Sequence, residues 1–96
     1  MPNDHTAAHV IEMLQAAALD PRKLSEAIRA LQAMVWKSKG WDDGLSGEVV
    51  EALLDLAYDL DFYEPDPTLR AEDDAFFAED RAVREIAEAL QRIIRG

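Results

Sequence analysis

The chain has 96 residues, of which 49% are hydrophobic, and a formal net charge of −10. That length fits one domain with one modest core, and that charge argues strongly against direct binding of DNA or RNA. There is no cysteine, so disulfides and thiolate metal sites are excluded, and no apolar run approaches the roughly 18 residues of a membrane span.

The N-terminus, Met1-Pro2-Asn3-Asp4-His5, has no basic region followed by an apolar stretch, so no signal peptide is expected. A first helix is predicted from about Asp4 to Ala18. Asp4 or Thr6 would cap it, with Val10, Leu14 and Ala17 on one face and Ile11 and Ala18 widening it. Asp20-Pro21 reads as an N-cap followed by proline at the first helical position. Leu24, Ala27, Ile28, Leu31, Met34 and Val35 then form one stripe. Lys37, Lys39 and Gly40 end that helix, because cations favour the negative helix end and glycine suits the C-cap.

Gly40 to Leu45 reads as a turn. Ser46 caps a third helix and Glu48 complements its positive end. Val49, Val50, Leu53, Leu54, Leu56, Ala57 and Leu60 give it a broad apolar face to about Phe62. Glu64-Pro65-Asp66-Pro67 stops it, since residues before proline avoid helical dihedrals. Thr68 to Glu79 is long for a connection. A helical turn is expected around Leu69–Phe77, burying Leu69, Phe76 and Phe77. A last helix runs from about Asp80 to Arg95, with Val83, Ile86, Ala87, Leu90, Ile93 and Ile94 as its stripe. Arg81–Glu85, Arg84–Glu88 and Glu88–Arg92 are spaced to pair along it. Four amphipathic helices with mostly short connections predict an all-α, single-domain antiparallel four-helix bundle over residues 1–96.

The charge is segregated. Residues 42–80 hold 14 acidic residues and one base, Arg70, a segment charge of −13. The summed field of such a segment steers oppositely charged partners and repels nucleic acid. A solubilising surface gives the same composition and is the commoner case on charge alone.

Several residue sets carry candidate chemistry. His5 and His9, with Glu12 three residues on, would share a helix face that suits a divalent metal. The spacing is not the metalloprotease signature, and the site would sit at a fraying terminus. The histidines are therefore read as solvent-exposed. Asp55, Asp59 and Asp66 suggest calcium, but residues 55–66 have neither the central glycine nor the terminal glutamate of an EF-hand loop. No metal or cofactor is expected. Paired carboxylates such as Asp59 and Asp61, or Asp73 and Asp74, are weak evidence of acid–base catalysis in so acidic a segment. There is no activated nucleophile or phosphate loop, so no catalysis is expected.

Trp36 and Trp41 bracket a basic turn; packing is favoured for them, with Trp41 the alternative anchor for a partner. Tyr58, Phe62 and Tyr63 meet the acidic stretch, which fits a partner site ringed by carboxylates and a core edge equally well.

The stretch from Leu56 through Tyr58-Asp59-Leu60-Asp61-Phe62-Tyr63-Glu64-Pro65-Asp66 to Arg70 resembles the colicin D immunity protein family. Phe62, Glu64, Pro65, Asp66 and Arg70 match in kind. Asp73, Asp74 and the helix from Val83 to Ile93 come after them in the family's order, and Leu24 to Ile28 is similar to its second helix. The resemblance implies a small bacterial, cytoplasmic inhibitor that binds a colicin's ribonuclease domain, with carboxylates standing where the substrate's phosphates would. On that basis Asp59, Asp61, Glu64, Asp66, Glu72, Asp73 and Asp74 are the expected contacts. Tyr58, Phe62 and Tyr63 are the candidate anchors. The expected partner is a basic nuclease (toxin) domain, bound 1:1, with no contact to nucleic acid or membrane. The alternative is an acidic helical scaffold or regulatory module, homodimeric through Trp41 and Phe76–Phe77, with no toxin.

Overall fold

The computed structural model describes residues 6–95. Every regular element among them is helical. Helix α1 spans Ala7–Leu19, α2 Leu24–Lys37, α3 Gly47–Asp59, α4 Pro67–Arg70 and α5 Glu79–Arg95.

Each boundary has a local cause. Thr6 caps α1, its side chain accepting the His9 backbone N–H at 3.2 Å. Asp20 ends α1 in an extended conformation and caps the short turn Pro21–Lys23. Its carboxylate accepts the Arg22 guanidinium and the Arg22 backbone N–H, which together hold the Asp20 carboxyl below the usual carboxylate range. The proline-led helix expected here thus opens with a separate 3₁₀ turn before α2 begins. Ser46 caps α3 by accepting the Val49 N–H at 3.3 Å. At the end of α2, Ser38 takes the extended C-cap position in place of the expected Gly40. Gly40 instead makes the adjoining turn at φ 74, where a Cβ would lie 3.0 Å from the Asp43 carboxylate.

The four long helices share one core. Helix α1 packs against α2 and α5, and α3 packs against the same two. The largest fully buried side chains are Leu14, Leu24, Leu31, Met34, Leu53, Leu60, Ile86 and Val10, drawn from all four long helices and the turn that ends α3. Apolar burial is the main term favouring folding. No described polar or charged side chain is buried, so the acidic residues stay in water and avoid the desolvation cost of a buried charge.

Two further expectations are corrected. The helical turn of the long connection lies at Pro67–Arg70, not around Leu69–Phe77. Asp66 sets it by accepting the Thr68 N–H at 2.8 Å. Leu69 is then 43% exposed, while Phe77 enters the core and Phe76 is half-buried. On α5 the buried line is Ala82, Ile86 and Ala89, flanked by half-buried Val83, Leu90 and Ile93. Ala87 is exposed and Ile94 is 77% exposed, because both lie further round the helix beyond Val83 and Leu90. No helix among the described residues is long and apolar enough to cross a membrane.

Candidate functional site

The candidate contacts within the acidic stretch begin in the last turn of α3 and continue into a strap that crosses to α5. Tyr58 and Asp59 end α3, and Asp61 and Phe62 lie in the 3₁₀ turn Leu60–Phe62 that extends it. Leu60 fixes that turn in the core, which leaves Asp61 and Phe62 at the surface. Tyr63 then leaves the helical path and pairs with Phe77 in an isolated parallel bridge. The Phe77 N–H donates to the Phe62 carbonyl and the Glu64 N–H to the Phe77 carbonyl, both at 2.9 Å.

Between these fastenings the strap folds on its own polar groups. The Glu64 carboxylate accepts the Asp66 N–H at 3.2 Å, and Asp73 accepts the Ala75 N–H at 2.9 Å. Three of the expected phosphate-like carboxylates, Glu64, Asp66 and Asp73, thus each use an oxygen to shape the backbone. Arg70, the base of this stretch, donates to the Glu64 and Pro65 carbonyls at 2.9 and 3.3 Å. Its hydrogen bonds go to backbone oxygens rather than to the carboxylates around it. Of the fourteen acidic side chains in residues 42–80, all but half-buried Glu64 are exposed.

The candidate aromatics divide. Tyr58 is 61% exposed and meets Trp36 of α2, the ring centroids 6.0 Å apart and tilted by 59°. Phe62 is 44% exposed. Tyr63 packs against the core, and burial pushes its hydroxyl above the usual tyrosine range. The Glu79 and Glu64 carboxylates push the same way, and Arg70 opposes them. Trp41 also packs against the core. Of the two tryptophans, Trp36 is therefore the one left at the surface.

Tyr58 and Asp59 open onto a groove of about 340 Å³ between α3 and α5. Asp55 and Asp59 face Glu85 and Glu88 there, over a floor of buried Ala52, Leu56 and Ala89. Arg92 reaches into it and pairs with Asp55 at 3.2 Å. Of the three pairs expected along α5, only Arg81–Glu85 forms among the described residues, at 3.7 Å. Asp61, Glu64, Asp66 and Glu72 to Asp74 do not line this groove. Among the described residues no hydrogen bond joins Glu72, Asp73 or Asp74 to the end of α3.

Comparison with known protein families, curated proteins and solved structures finds no match. The site therefore rests on its own chemistry.

That chemistry is a set of exposed carboxylates beside two exposed aromatic rings, Tyr58 and Phe62. No group of three or more side chains among the described residues is arranged to hold a metal ion. Asp55, Asp59 and Asp66 serve separate ends: an ion pair, a groove wall and a cap. His5 lies outside the described residues, and His9 and Glu12 line a separate groove between α1 and α2 with Lys23 and Glu26. Glu85, Glu88 and Trp36 are the neighbours that sequence reasoning missed. Glu85 and Glu88 are visible as an i,i+3 pair, but nothing local says which helix they face.

Proposed function

We propose that the protein is an immunity protein-like inhibitor, which binds a basic nuclease domain of a colicin-type toxin and blocks its RNA site. In this reading it acts in the cytoplasm as one domain, an antiparallel four-helix bundle, and performs no catalysis. The ring of contacts α1–α2–α3–α5 supports the bundle.

One observation carries the functional reading. The acidic stretch stands at the surface, and its own arginine is spent on backbone carbonyls. A nuclease must present Lys and Arg to hold RNA, and a face of exposed carboxylates occupies such a cleft with charge-assisted hydrogen bonds. The resemblance of residues 56–70 to the colicin D immunity family points the same way. Asp59, Asp61, Glu64, Asp66, Glu72, Asp73 and Asp74 are the proposed carboxylate contacts, with Tyr58, Phe62 and Tyr63 beside them. The scaffold alternative draws less support, since Trp41 and Phe77 already pack within their own chain.

The test is retention at low salt, with the protein as bait, and then elution on a salt gradient. A nuclease domain that elutes late, and whose RNA cleavage the protein stops, is the expected result. The triple variant Asp61→Asn, Glu64→Gln, Asp66→Asn removes charge while keeping acceptor oxygens for the local backbone bonds. It should weaken binding with helix content unchanged. Unchanged affinity would move the site elsewhere, and capture of no cationic protein would remove the reading.

A further inference from the structure

The Trp36–Tyr58 ring pair and the α3/α5 groove form one surface that meets at Tyr58. Two exposed aromatic rings lie on one side of that residue. On the other side the groove has four carboxylates over a floor of small and apolar residues, against which the chain sets two cations, Arg92 on Asp55 and Arg81 on Glu85. The carboxylates therefore outnumber those cations by two.

Each part of this surface suits the same occupant. An aliphatic stem packs along the exposed Tyr58 ring at the groove's edge, as long cationic side chains pack their methylenes on apolar surface. A charged head finds Asp59 and Glu88 within the same walls, beside the Glu85 that Arg81 already pairs, where hydrogen bonds between charged groups are the strong ones. The faces of Tyr58 and Trp36 attract a cation further. Arg92 shows which head fits: a guanidinium of this chain already sits in the groove, 3.2 Å from a wall carboxylate. A planar fork matches carboxylates better than an ammonium does.

We propose that this surface seats an arginine-bearing basic segment of a protein partner, one arginine entering the α3/α5 groove and the adjoining residue lying on Trp36 and Tyr58. The inference deepens the reading above and rests on its premise that the partner is basic. It places the anchor at Asp55, Tyr58, Asp59, Glu85 and Glu88, not in the strap. Arg92 then acts as an internal competitor for the same walls.

The probe is a short peptide of alternating glycine and arginine, titrated at low salt into the isotope-labelled full chain and tracked by backbone amide shifts. Shifts should concentrate in residues 55–59 and 85–92, with a change in Trp36 emission. The pair Asp59→Asn, Glu88→Gln should weaken the peptide by about tenfold or more, the cost of losing a charged hydrogen bond. Arg92→Gln should tighten it severalfold, which a merely structural ion pair would not do. A lysine peptide should bind more weakly. Shifts confined to residues 61–74, equal weakening by the strap triple variant, or looser binding by Arg92→Gln would each overturn the proposal. The two readings fail separately. A nuclease domain that binds Asp59→Asn, Glu88→Gln unchanged sinks the groove and removes Asp59 as a contact, leaving the inhibitor reading on the strap; a peptide seated in the groove of a protein that retains no nuclease sinks the inhibitor reading alone.

Discussion

Tyr63 and Phe77 lie side by side in a parallel bridge that fastens the acidic strap to the end of α3. Phe77 is anchored three ways. Its backbone N–H and C=O bond to the Phe62 carbonyl and the Glu64 N–H. The residue is 8% exposed and belongs to the core. The Arg81 guanidinium stands 4.8 Å from the ring centroid, a cation–π distance.

Truncating that ring should therefore loosen the strap along with the core. Phe77→Ala is expected to cost about 3 kcal/mol, within the range for deleting a buried phenylalanine. The Glu64 and Phe77 amides should lose hydrogen-exchange protection before those of α1. A loss below about 1 kcal/mol, or unchanged protection at Glu64, would show that the bridge does not depend on the ring.

Tyr63 is expected to make the fold less stable at alkaline pH. Burial, Glu79 and Glu64 raise its hydroxyl against the opposing Arg70, so the folded protein keeps the proton where the unfolded chain releases it. The stabilisation is complete below the unfolded value near about pH 10 and is lost as pH rises through the folded value. Denaturant midpoints should fall above about pH 10, and less steeply in Tyr63→Phe, which has no proton there to lose. Parallel curves for the two proteins would assign the alkaline loss to other groups.

The core should separate from the surface by size of effect. Leu14→Ala and Leu53→Ala remove fully buried side chains and are each expected to cost about 2–5 kcal/mol. Ile94→Ser changes an equally apolar residue that the fold leaves in water, and should stay within about 0.5 kcal/mol. Denaturant unfolding of the three variants checks this. A core-sized loss at Ile94 would mean that another surface covers it.

The helices were legible in the sequence because the signals that make them act over three or four residues. Thr6, Asp20 and Ser46 cap where their neighbours need a side-chain acceptor. Val10, Leu14 and Ala17, or Leu53, Leu56 and Leu60, mark a buried stripe by spacing alone. The gathering of negative charge in residues 42–80 was likewise fixed by residue order. Tertiary structure decided what those signals do not reach. Arg92 has Glu88 at i,i+4 spacing along its own helix, yet it pairs with Asp55, because α3 and α5 pack together and bring that carboxylate to 3.2 Å. Leu69 and Phe77 are both large and apolar, yet one is exposed and the other buried. The Asp66 cap starts α4 early, and the Tyr63 bridge offers Phe77 a place in the core. Local order sets which faces each helix owns, and only the meeting of those faces puts Asp55 and Asp59 opposite Glu85 and Glu88.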